Sequence, residues 1–162
     1  MSVDVIAPAA DAQAPAPADP IEELSGYFFE DLEPGMTAAY ARTIGPADLV
    51  MFAGISGDTN PMHLNEEYAE KTMFEGTIAH GMLSSSFIST VVGTRLPGPG
   101  CVYISQSLKF KAPVRPGDTV TARATVVELK PEKSRVVLET VCTVGDTVVI
   151  SGQAEVLVPR RN

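Results

Sequence analysis

The most reactive-looking run in the chain is Gly57-Asp58-Thr59-Asn60-Pro61-Met62-His63. A carboxylate and an imidazole in one short segment can hold a water and exchange protons with a substrate, if both reach hydrogen-bond distance. Gly57 lets the main chain turn sharply, and Pro61 pushes Asn60 out of the α region. Asp58 and His63 therefore do not share one continuous helix, and the loop has to fold back to aim them at one point. Plainer uses compete: Asp after Gly serves turns and caps, and Asn-Pro is a routine turn pair. The only other histidine, His80, opens an apolar segment with Gly81 behind it. A helix N-terminus at that point offers free N–H groups, and Gly81 permits the close approach needed to polarise a carbonyl oxygen. The His80 side chain itself reads as a capping or packing group.

The elements that must position these residues follow from pattern. Met36 to Ile44 reads as a strand. Pro46 can begin a helix over Ala47 to Ala53, with Gly54 ending it. A second short helix runs from Asn65 to Thr72, with Asn65 as N-cap and Glu66 and Glu67 in the first turn. From Gly81 to about Val92, apolar residues are interleaved only with small hydroxylated ones. Such a helix is expected to be surrounded by protein. Beyond Gly100 come strands over Val102 to Ala112, Thr119 to Leu129, Arg135 to Val144 and Thr147 to Val158. The first puts Leu108 and Phe110 on one face and Lys109 and Lys111 on the other. Gly145-Asp146 is a two-residue hairpin signal, and Pro131 to Ser134 makes another turn. Four consecutive strands imply an antiparallel meander, hence an α+β fold with a sheet curled around the Gly81 helix.

Composition narrows the function. A chain of 162 residues fits one domain and buries roughly two-thirds of its unfolded surface. The formal net charge of −8 argues against nucleic acid as a partner. Two cysteines, Cys101 and Cys142, make no disulfide framework and read as buried free thiols in strands. The longest stretch without Asp, Glu, Lys or Arg, Gly76 to Thr94, holds seven Ser or Thr, so it reads as a buried helix and not a membrane span. Residues 1–20 carry seven Ala and four Pro and no Lys or Arg. They read as an extended, disordered tail, unlike a secretory or mitochondrial leader, with the folded domain at 21–162. A cytoplasmic location follows as the expectation.

The ordered motif from Gly57 to His63, preceded by Phe52 and followed by Ala69, closely resembles the hydratase 2 motif of MaoC-like (R)-specific enoyl-CoA hydratases. The resemblance continues through Ala79-His80-Gly81-Met82-Leu83 and Gln106-Ser107-Leu108-Lys109-Phe110, with Pro113, Gly117 and Asp118, and spans roughly Asp31 to Pro159. It implies a hot-dog fold, commonly paired as a homodimer or higher assembly with acyl-CoA sites near the interface. The reaction it implies is reversible addition of water to a trans-2-enoyl-CoA, giving an (R)-3-hydroxyacyl-CoA of short or medium chain. Asp58 and His63 become the catalytic pair, and Asn60 orients them. The Gly81 N–H becomes a donor to the thioester oxygen, and Ser89 supports the hydrogen-bond network. Packing alone would also explain a serine on a buried helix.

The family reaction needs neither a metal nor an organic cofactor. Water activation falls mainly to His63 and proton delivery mainly to Asp58, although a coupled pair leaves the division open. An anionic coenzyme A moiety needs local positive charge on an acidic protein. Lys109, Lys111, Arg115 and Arg95 are the candidates, with a solvated strand face as the plain alternative. Sibling readings are a dehydratase acting on a branched or dicarboxylic enoyl-CoA, a thioesterase, which the Gly57–His63 motif disfavours, and a non-catalytic acyl-CoA-binding module.

Overall fold

The computed structural model describes residues 23–161, so the Ala/Pro-rich segment expected as a tail lies outside the described residues. Five strands, β1 (Thr37–Thr43), β2 (Val102–Phe110), β3 (Thr119–Lys130), β4 (Arg135–Val144) and β5 (Thr147–Leu157), form one sheet. Its order is β1-β3-β4-β5-β2, and every neighbouring pair is antiparallel. Among the described residues, four α-helices lie between the strands: α1 (Pro46–Ser56), α2 (Pro61–Leu64), α3 (Glu66–Glu70) and α4 (Gly81–Thr94).

The sheet holds α4 because its inner face is apolar and locally small. Val120, Ala122, Ala124 and Val126 alternate inward along β3, and the two alanines let the helix approach closely. The helix lies chiefly on β3, then on β1 and β4. Phe87, Ile88, Val91 and Val92 fill that contact together with Val136, Leu138 and Ala154. The turn at Gly145-Asp146 is a two-residue hairpin, with Val144 opposite Thr147 and Gly145 at φ 53°.

Four expectations need correcting. Gly54 lies inside α1, which runs on to Gly57; the φ of 76° there, and its N–H bond to the Ala53 carbonyl, end the helix. The strands after Gly100 are not one meander: β2 lies at the sheet edge beside β5, so residues 111–118 cross over to β3 instead of forming a hairpin. That crossover is pinned by the Ala79 N–H to the Val114 carbonyl (2.7 Å) and the Gly117 N–H to the Ile44 carbonyl (2.7 Å). The central helix is also not covered on all sides within one chain, since Met82, Ser86 and Ser89 are exposed. Finally, Cys101 precedes β2 and is only half-buried, whereas Cys142 in β4 is fully buried.

Candidate active site

The turn after α1 is built from short side chains bonding to nearby main chain. Ser56 Oγ donates to the Phe52 carbonyl and accepts from the Asp58 N–H. Asp58 Oδ1 accepts from the Asn60 N–H at 3.2 Å, and Asn60 Oδ1 accepts from the Met62 N–H at 3.2 Å. Asn60, at φ −52° and ψ 125°, is thus the N-cap of α2. The sequence places no helix over Pro61–Leu64, yet this single turn is what carries His63 inward. Its cue was Asn60 followed by Pro61, a cap with proline at the first helical position. Asn65 caps α3 through the Tyr68 N–H at 3.0 Å, and that helix stops at Glu70, short of the expected Thr72.

His63 is 9% exposed, and its Nδ1 lies 2.8 Å from the Ile78 carbonyl oxygen. A carbonyl only accepts, so Nδ1 carries the proton, and in the neutral ring Nε2 keeps its lone pair. Side-chain atoms of Asp58, His63 and His80 lie within 4.8 Å of one another. Two hydrogen bonds of about 2.8 Å at a bent water span about 4.5 Å, a separation of the same order. These three side chains have the types of a metal site, but their geometry does not suit one. The His63 and His80 rings are stacked, with centres 3.8 Å apart and planes tilted by 31°. Ring lone pairs lie in the ring planes, and planes so nearly parallel converge far beyond a metal–nitrogen bond of about 2.1 Å.

Asp58, His63, His80 and Gly81 line a cavity of ≈ 520 Å³, walled by Phe74, Ile78, Phe110, Val114 and Ile150. Gly81 and Met82 occupy the first turn of α4, where N–H groups have no partner inside the helix and the dipole favours negative charge. A methyl group on Gly81 would sit 2.7 Å from the Phe110 ring, so the glycine makes room for that ring as well as for any ligand. Nothing in the sequence pairs Phe110 with Gly81; the sheet edge brings them together.

The expected basic set is dispersed. Lys111 lines the cavity, whereas Lys109, exposed on β2, does not. The Arg115 guanidinium donates to the Phe74 carbonyl, which fixes the cavity wall. Arg95 lies at the far end of α4, donating to the Ala39 carbonyl and resting 5.6 Å over the Tyr40 ring. Ser89 also falls outside the cavity. It lines a second hollow of ≈ 450 Å³ with Phe52, Ser85, Tyr103 and Gln106, and Met82 borders both spaces.

An antiparallel sheet curled around one helix is a hot-dog fold, and here an Asp–His pair lies at the N-terminus of that helix. Residues 30–149 match the model of the MaoC like domain, and the chain belongs to that family. It is 58% identical over 140 residues to an (R)-specific enoyl-CoA hydratase of Rhodospirillum rubrum, covering 86% of this chain and 97% of that protein. Over 141 residues it is 51% identical to a 3-hydroxybutyryl-CoA dehydratase of Methylorubrum extorquens, covering 87% and 90%. A solved (R)-hydratase from A. caviae involved in PHA biosynthesis superposes with a TM-score of 0.78 at 40% identity, covering 80% of this chain and 99% of that one.

Proposed function

We propose that this protein catalyses the reversible hydration of short- to medium-chain trans-2-enoyl-CoA to the (R)-3-hydroxyacyl-CoA, with Asp58 and His63 as its acid–base pair. The observation that carries the reading is the His63 Nδ1 contact to the Ile78 carbonyl, which leaves Nε2 free of that bond on a ring that lines the same largely apolar cavity as Asp58. In the hydration direction the water oxygen bonds to C3 while His63 Nε2 takes its proton. Asp58 enters the cycle as the carboxylic acid and delivers its proton to C2, and the pair is restored when the proton taken up by His63 passes to the Asp58 carboxylate. Negative charge gathers on the thioester oxygen as C3 is attacked, and the Gly81 N–H donates a hydrogen bond to that oxygen. Asn60 acts one step back, by capping the turn that carries His63. Every atom in this scheme comes from water, substrate and the pair, so neither a metal nor an organic cofactor enters it.

The working form is a homodimer in the cytoplasm. Support for pairing comes from β2, a sheet edge exposing Val102, Tyr103 and Ile104, beside the open face of α4. An uncovered apolar edge strand invites strand pairing. No helix among the described residues is long and apolar enough to cross a membrane.

The direct experiment follows loss of the conjugated enoyl-thioester absorbance of crotonyl-CoA and offers the product to dehydrogenases specific for (R)- or (S)-3-hydroxyacyl-CoA. An (R) product supports the reading. An (S) product, or release of free thiol without hydration, overturns it.

A further inference from the structure

We propose that His80 is a positioning residue for this chemistry, holding the Asp58 main chain and the His63 ring in register with each other; the inference rests on the hydratase reading above. The ring is 1% exposed at the entry to α4. Its Nε2 lies 3.0 Å from the Asp58 carbonyl oxygen, so the Nε2 proton is donated there. The same ring stacks on His63 at 3.8 Å and touches Phe52 of α1 at 5.0 Å between centres. One side chain therefore joins the end of α1, the Asp58 loop, the His63 turn and the start of the helix that presents Gly81.

His80 cannot itself serve as acid or base. Nε2 is committed to the Asp58 carbonyl, and Nδ1 is sealed from solvent without a hydrogen-bond partner. A phenyl ring would fill this place without burying an unpaired acceptor. What it would lack is the N–H donor to Asp58. The separation of carboxylate and imidazole is thus referred to one fixed ring, and misplacement of reacting groups by about 1 Å lowers rates by about a hundredfold.

The test compares the full-length protein with His80→Phe, which keeps ring packing, and His80→Gln, whose amide can reach the Asp58 carbonyl. Hydration of crotonyl-CoA gives kcat and KM, and long-range ¹⁵N–¹H NMR reads the ring tautomers in a protein with only two histidines. In His80→Phe, kcat is expected to fall about a hundredfold with KM within about threefold of the parent, and His80→Gln to recover at least about tenfold of the loss. The parent is expected to show His80 protonated on Nε2 and His63 on Nδ1, with the His63 signals displaced in His80→Phe. A kcat within about threefold of the parent, a loss confined to KM, or no rescue by His80→Gln overturns the proposal. If His80→Phe does not fold, His80→Asn, too short to reach Asp58, must fall about tenfold below His80→Gln. A parent that hydrates nothing sinks the hydratase reading instead. The positioning role then stands or falls on the NMR signals alone, with unmoved His63 resonances overturning it.

Discussion

His63 gives its Nδ1 proton to the main-chain carbonyl of Ile78 across 2.8 Å. Ile78 in turn donates its N–H to the Met62 carbonyl, so the strand-like segment before α4 and the single turn of α2 hold each other. The tautomer of the neutral imidazole is therefore set by the backbone, with its lone pair on Nε2.

Removing either member of the pair should stop turnover without unfolding the chain. Asp58→Asn and His63→Gln are each expected to lower kcat by about 10²–10⁴-fold, the range for a lost general acid or base. The exposed Asp58 side chain should leave the melting temperature nearly unchanged. Crotonyl-CoA kinetics and circular-dichroism melts check both statements.

Asn60 should behave as a cap whose loss is felt at His63. Asn60→Ala removes the acceptor for the Met62 N–H and should lower stability by about 1 kcal/mol. Asn60→Asp keeps an acceptor there and should retain most of that stability. Urea titrations of the two variants, read beside their kcat values, separate the cap from any other role.

Gly81→Ala should impair activity through Phe110. The added methyl meets the ring at 2.7 Å, and the ring has to move off the helix N-terminus. Combining it with Phe110→Ala should recover stability relative to the sum of the single variants. A double-mutant cycle with additive free energies would show that the two residues are not coupled.

Lys111 and Arg115 should part company in kinetics. Lys111→Ala is expected to raise KM for the CoA thioester, more at low than at high salt, with kcat little changed. Arg115→Ala should instead speed amide exchange around Phe74, whose carbonyl it holds. Salt-dependent kinetics and hydrogen exchange measure the two effects.

Stability should fall at alkaline pH. Burial pushes the Cys142 thiol from its ordinary 9.0 up to about 12 and, as the leading cause, the Tyr103 phenol from 10.0 to about 12. Between about pH 9 and pH 12 the unfolded chain has lost protons that the folded chain keeps. Stability is thus fully present below about pH 9 and declines as pH rises towards 12. Denaturant titrations across that window should show a shallower decline in Cys142→Ala.

Much of the scaffold is written locally. Alternating Val and Ala along β3, the Gly145-Asp146 turn, and Pro46 opening α1 each state their structure within a few residues. The Asp58–Asn60–His63 turn is equally local, because its hydrogen bonds run between residues two or three positions apart. That is why the sequence points to this loop, and why its resemblance to one family is specific.

Which side chains share a cavity is a different kind of information. It depends on strand order and on how α4 lies across the sheet, and neither is encoded in any short window. Crossover of residues 111–118 sends β2 to the edge, bringing Phe110 onto Gly81 and Lys111 to the cavity. Helix rotation turns Ser89 to a separate hollow, and helix length carries Arg95 to the opposite end. His80 read from sequence is one histidine before a helix. Only packing makes it the ring on which Asp58 and His63 both rest, because its partners lie 22 and 17 residues away in the chain and within 4 Å in space.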